Sequence, residues 1–183
     1  MSESERWTAY ESPLGVLTVI VAPDGALRSV SFPGREWDLD PEAECPIEGV
    51  TGQLDEYFAG ERRGFDLDLD LYGEALQMEV WASLGEIPFG STVSYGELTE
   101  KIDPAVFPAG LEPYERVRAT AREIGRTPVP IVVPCHRVVG ADGRLTGFGG
   151  GLERKRILLE LERRVAAGLS PEPAWAQEQL AIL

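Results

Sequence analysis

The hydrophobic period of this chain changes at Ala75 from mainly strand-like to mainly helical, and that change limits the folds open to it. Ahead of it, "WTAYESPLGVLTVIVAPDGALRSVSF" has β-rich runs broken at Pro13-Leu14-Gly15 and Pro23-Asp24-Gly25, the pattern of a meander with tight turns. "GQLDEYFAG" reads as a short helix ending at Gly60. "FDLDLDLYG" alternates Phe65, Leu67, Leu69 and Leu71 with three aspartates, which predicts a half-buried edge strand with solvated acids rather than metal ligands. Beyond Ala75, Leu76, Val80, Trp81 and Leu84 fall at helical spacing. "YGELTEKI" reads as a second helix. A third runs from Pro113 to Gly125 with Tyr114, Val117, Ala121 and Ile124 as its apolar face. A last helix, "LERKRILLELERRV", turns Leu152, Leu158, Leu159 and Leu161 inward. The expected fold is α/β: a β-rich N-terminal subdomain (1–74), a mainly helical C-terminal subdomain (75–168), and a tail (169–183) whose apolar end packs back on the body.

Charge is distributed as unevenly as the periodicity. The chain of 183 residues carries a formal −14. Residues 1–90 hold 19 acids and 5 bases, whereas 91–164 hold 10 acids and 12 bases. The C-terminal half is thus mildly basic, and net charge alone does not exclude a polyanionic partner. Its third helix carries Arg118 and Arg122 one turn apart. Two short helices followed by an arginine-bearing one are compatible with a helix-turn-helix, a pattern many helical domains share.

"PIVVPCHRVVG" (130–140) contains the only histidine, His136, beside one of only two cysteines, Cys135. A short apolar strand, "PVPIVV", is expected to lead into this Pro-Cys-His turn. A thiol attacks as thiolate, so a working cysteine needs a base or a positive field. His136 can be that base, with a bridging water to relieve the geometry of adjacent residues, and a carboxylate to fix its tautomer. Glu153, Glu160 and Glu162 on the last helix are candidates. A small buried cysteine beside a satisfied turn histidine is the plainer alternative. Cys45 and Cys135 form no CxxC and are expected as free thiols. "MSESER" lacks the signal-peptide pattern, and no apolar run nears the ~18 residues of a membrane span, so a cytoplasmic protein is expected.

The string "PVPIVVPCHRVVGADGRLTGFGGGLERKRILLELE" resembles the active-site region of the O6-alkylguanine-DNA alkyltransferases, with their Pro-Cys-His-Arg-Val core at Pro134–Val138. "EVWASLGEIPFGSTVSYGEL" is similar to the segment upstream of it in that family. The resemblance implies repair of duplex DNA containing O6-alkylguanine: a flipped-out guanine gives its O6-alkyl group to Cys135, once per molecule, with no cofactor and no metal. It also implies that His136 takes the thiol proton and that Glu162 orients His136. Arg118 would fill the space left by the flipped nucleotide, and Tyr95 would meet the base edge. Ile124 and Pro130 would wall the pocket, with the backbone of Cys135, Val138 and Gly149 bonding the guanine. Arg137 falls among the substrate- or DNA-binding positions. The expected C-terminal subdomain therefore holds a helix-turn-helix and a Pro-Cys-His-Arg active-site turn, in a monomer without membrane contact. A non-catalytic protein that only recognises alkylated DNA is the alternative reading.

Three departures from the family accompany the match. Thr127-Pro128 stands where Asn-Pro is usual, leaving the support of the cysteine turn to a shorter side chain. Phe148 stands where the loop usually has tyrosine. About nine extra residues, around 103–113, separate Tyr95 from Arg118. The chain has 15 arginines and 2 lysines. This acid-rich, lysine-poor composition suits solubility in concentrated salt or reflects coding bias. Melting temperature measured from low to molar KCl separates these: a rise marks salt adaptation, and a constant value marks coding bias.

Overall fold

The computed structural model describes residues 5–172, so the expectation for the apolar end of the tail lies outside the described residues. β1 (Arg6–Ser12), β2 (Gly15–Val21) and β3 (Leu27–Ser31) form an antiparallel meander in the order β1-β2-β3. The turn chemistry sets the first register: Ser12 pairs with Gly15, whose φ of 96° suits glycine and strains other residues. As the middle strand, β2 buries Leu17, Val19 and Val21 fully. α1 (Glu48–Phe58) covers the sheet and begins earlier than its sequence pattern suggests, with Val50, Leu54 and Tyr57 inward at i, i+4 and i+7.

The second half holds α2 (Ala75–Gly85), β4 (Val93–Ser94), α3 (Tyr95–Lys101), α4 (Pro113–Ile124), β5 (Val138–Val139) and α5 (Leu152–Ala166). The molecule is thus mixed α/β, with its small sheet N-terminal and most of its helices C-terminal. A capping box between Ser94 and Glu97 starts α3. β4 pairs in parallel with β5, Val93 opposite Val138, which fixes the chain after His136 to the start of α3. One apolar cluster runs from Tyr10 to Val165, so both halves share a core. No helix among the described residues is long and apolar enough to cross a membrane.

Several elements differ from the sequence expectations. "PVPIVV" is a buried turn and not a strand: Pro128, Pro130 and Pro134 remove the donors a ladder needs, and Val133 N–H closes back on the Val129 carbonyl at 2.9 Å. The alternating aspartate segment forms a single bridge, Leu27 to Leu69, through Asp68 and Asp70, and Leu69 stays 39% exposed. Leu152 is exposed at the open end of α5, where Lys155 and Glu162 are buried. On α4 the buried residues are Ala119, Thr120, Glu123 and Ile124, while Tyr114 is 62% exposed. Small side chains let α4 approach α2, where the Trp81 indole N–H donates to the Glu123 carbonyl at 3.1 Å. The extra segment is folded down. Asp103 caps a turn at Pro104–Val106, Phe107 is buried, and the Arg116 guanidinium lies over its ring.

Gly90 shows how closely the loop before β4 approaches α5. Its φ is +75°, and an added Cβ would lie 2.8 Å from Ala166 Cβ and 3.3 Å from the Glu162 carbonyl oxygen. Gly90→Ala is expected to destabilise the protein by roughly 2–4 kcal/mol, from backbone strain plus overpacking. Denaturant unfolding measures this; a loss below about 0.5 kcal/mol would mean that α5 shifts freely.

Candidate active site

The cysteine turn is a single 3-10 turn, Cys135–Arg137, built on backbone that offers few alternatives. Pro134 immediately precedes it, and Ile131, just upstream, has φ +77°, the one positive value among the described non-glycine residues. A β-branched residue there is strained and must be held by its surroundings; Ile131 is fully buried. Cys135 N–H donates to the Val133 carbonyl at 2.8 Å, and β5 carries the chain away.

His136 and Glu162 are both fully buried, and imidazole Nε2 lies 2.9 Å from carboxylate Oε1. Burial would raise the Glu162 pKa, but the bond from His136 and the pairing with Arg137 outweigh it and bring it to about 2. A carboxylate can only accept, so Nε2 carries the proton and Nδ1 keeps its lone pair. Nδ1 is buried, with no hydrogen-bond partner among the described residues. Burial pulls the His136 pKa down and Glu162 raises it; the imidazole rests neutral. Of the three carboxylates left open by the sequence, Glu153 and Glu160 pair with Arg156 and Arg163 on the outer face of α5.

Burial pushes the Cys135 thiol up to about 11, against the opposing pull of Thr127 and of the Lys155 ammonium. The resting thiol is therefore protonated and not a stored thiolate, contrary to the lowered pKa anticipated for a working cysteine. It lies on a cavity of about 500 Å³ that Tyr95, Ile124, Thr127, Pro130, Phe148 and Gly149 also line. The fold thus brings these residues to one cavity. Tyr95 donates to the Thr146 carbonyl at 3.1 Å, pinning the glycine loop. Thr127 donates to the Ile124 carbonyl at 2.8 Å, at the end of α4.

Three anticipated residues lie elsewhere. Arg118 is exposed on α4, outside the cavity wall. Arg137 is a correction: expected toward substrate or DNA, it is buried, with its guanidinium spanning Glu162 and the Ile87 carbonyl. That ion pair needs the arginine inside, because the carboxylate it neutralises is inside. Val138 is fully buried. Its N–H donates to the Cys135 carbonyl, and its own carbonyl accepts from Lys155 at 2.5 Å, which leaves one carbonyl lone pair.

The sequence reading missed other participants. Lys155 is fully buried, and its Nζ also donates to the Thr146 and Gly147 carbonyls at 2.7 and 3.2 Å. Burial brings its pKa to about 8, so it remains a cation near the thiol at neutral pH. Its rarity was a signal, since the chain has only two lysines. Phe32 and Arg35, from the loop after β3, also line the cavity, and the Phe32 ring meets Phe148 edge-on at 5.3 Å. Tyr57 on α1 donates to Glu162 Oε1 at 2.8 Å across 105 residues of sequence, a separation no local pattern signals.

Comparison with known proteins is consistent across the chain. The family described as "6-O-methylguanine DNA methyltransferase, DNA binding domain" matches residues 75–164, and its "ribonuclease-like domain" matches 6–71. The methylated-DNA–protein-cysteine methyltransferase of Mycolicibacterium paratuberculosis is 44% identical over 166 residues, covering 87% of this chain and 93% of that protein. The one from Methanosarcina acetivorans is 35% identical, covering 85% and 97%. The structure of Mycobacterium tuberculosis OGT in complex with DNA matches with a TM-score of 0.74 at 39% identity, over 87% of this chain and 94% of that one.

The depressed Glu162 pKa links stability to pH. Its contribution is complete above the unfolded value near 4.3 and is lost as pH falls through about 2. Glu162→Gln is expected to be less stable than the parent at pH 7, by on the order of 3 kcal/mol. The gap should narrow between about pH 4 and pH 2. A gap that stays constant down to pH 2 would show that the carboxylate carries no such energy.

Proposed function

Because the chain belongs to the 6-O-methylguanine DNA methyltransferase family, we propose that it repairs duplex DNA by moving the O6-alkyl group of a guanine onto Cys135. It is a methylated-DNA–protein-cysteine methyltransferase that acts once per molecule. The observation that carries this reading is the buried Cys135–His136–Glu162 arrangement opening on a cavity with aromatic and aliphatic walls.

The O6 atom of guanine lies inside the base stack, so the nucleotide must leave it before the thiol can reach. α3 and α4 act as a helix-turn-helix. Arg118, exposed on α4, takes the place of the extruded nucleotide, and Tyr95 meets the base edge. The purine enters between Ile124, Pro130 and Phe148, and the backbone of Cys135, Gly149 and the Val138 carbonyl bonds its polar edge. Thr127 ties the end of α4 to the cysteine turn in place of the usual asparagine.

A thiol buried in its protonated form needs a base at the moment of attack. His136 Nδ1 has the lone pair for this, and a water connects it to Sγ. As the S–C bond forms, the C–O6 bond breaks and its electrons stay on the guanine, which regains a proton in place of the one the thiol gave up. Glu162 holds the imidazolium that forms meanwhile. The product thioether has no leaving group, so the thiol is not regenerated and no cofactor enters. The division near residue 74 separates an N-terminal part that braces the site from a C-terminal part that binds DNA; the family boundaries, 6–71 and 75–164, support it. The protein works as a monomer in the cytoplasm.

Incubation with duplex DNA carrying one O6-methylguanine, followed by intact-mass spectrometry, tests the reading. The expected gain is about 14 Da, a methyl group replacing the thiol proton, and Cys135→Ser abolishes it. Lesion-selective binding without any mass gain would identify a recognition protein instead.

A further inference from the structure

Tyr57 brings the N-terminal half of the chain into the histidine relay. Its hydroxyl and the Glu162 carboxylate are fully buried, 2.8 Å apart. The same oxygen, Oε1, accepts from His136 Nε2 at 2.9 Å and from an Arg137 N–H at 2.8 Å, while Oε2 takes the Gly90 N–H at 3.0 Å and Arg137 Nε at 2.9 Å. We propose that Tyr57 is a positioning residue for the transfer reaction, an inference that rests on the function above. Its hydroxyl takes up part of the Glu162 charge and so sets how readily His136 accepts the thiol proton.

Donors that share one carboxylate oxygen compete for its electron density, and in a site without solvent no water replaces a donor that is lost. Tyr57 can only donate here: burial, then the charge of Glu162, holds its pKa well above 10. The charges facing His136 are Glu162 and Lys155 from α5 and Arg137 beside it, with Tyr57 from α1 acting through Glu162. Lys155 and Arg137 disfavour the imidazolium, and Glu162 alone of these favours it. The basicity of His136 therefore follows how much of the Glu162 charge reaches it.

Tyr57→Phe removes the hydroxyl and keeps the ring, whose contacts with Phe58, Phe65 and Phe89 at 5.4, 5.4 and 6.1 Å hold the fold. His136 is the chain's only histidine, so tag-free protein labelled with ¹⁵N-histidine gives one imidazole to follow by NMR. Loss of a donor leaves Glu162 more negative toward His136 and stabilises the imidazolium. Protonation of His136 is then expected at a pH higher by roughly half to one unit, and the acid side of the pH–rate profile for alkyl transfer moves with it. An imidazole that titrates alike in the two proteins, or stays neutral in both from about pH 4 to 9, overturns the proposal. The NMR arm needs no chemistry. If the parent takes up no alkyl group while the imidazole shift appears, the functional reading fails and the coupling stands. A parent that is alkylated with no imidazole shift in the variant has the opposite meaning.

Discussion

The Glu162 carboxylate accepts hydrogen bonds from Tyr57, Gly90, His136 and Arg137, residues of three chain segments, and it is closed off from solvent. Removing a carboxylate from water costs several kcal/mol, and the charge persists inside only if its acceptor sites are filled. Filling them brings together α1, the turn before β4, the cysteine turn and α5. The catalytic geometry is in this sense a by-product of solvating one buried charge with protein. Gly90 is small because a side chain there would strike α5, the helix that carries Glu162.

The same enclosure shapes the chemistry. Aromatic and aliphatic walls suit a base, and burial favours the neutral thiol, which it raises to about 11. A permanently ionised cysteine in that pocket would need a strong nearby field. The molecule offers Lys155, held by three carbonyls, and a neutral imidazole with one free lone pair. On the proposed function, Cys135 and His136 rest uncharged and separate charge only when the alkylated base arrives.

Charge is unevenly spread over the molecule. The N-terminal part supplies Tyr57 to the Glu162 carboxylate and carries most of the acid. Arg118 and Arg122 stand exposed on α4, and its buried face includes the small Ala119 and Thr120 beside Glu123 and Ile124. The segment before α4 folds onto the body through Phe107, with the Arg116 guanidinium over its ring.

The sequence alone determined the meander, whose turns at Pro13-Leu14-Gly15 and Pro23-Asp24-Gly25 are local chemistry, and the helices whose apolar spacing runs over several turns. The family resemblance carried by the strings around Cys135 named six residues that line the cavity with it, Tyr95, Ile124, Thr127, Pro130, Phe148 and Gly149, but not Phe32 and Arg35. Where competing terms were non-local, the sequence was silent or misleading. "PVPIVV" looks like a strand by composition, yet its prolines cannot pair. Tyr114 and Leu152 look like core by spacing, yet both are exposed among the described residues. Arg137 and Lys155 look like surface cations, yet the fold draws them inward to a carboxylate and to three loop carbonyls. The residue types alone left three glutamates open and only the resemblance pointed to Glu162; that a tyrosine 105 residues away joins it was decided when α1 and α5 packed together. Burying a charge is a property of the assembled interior, and no window of sequence contains it.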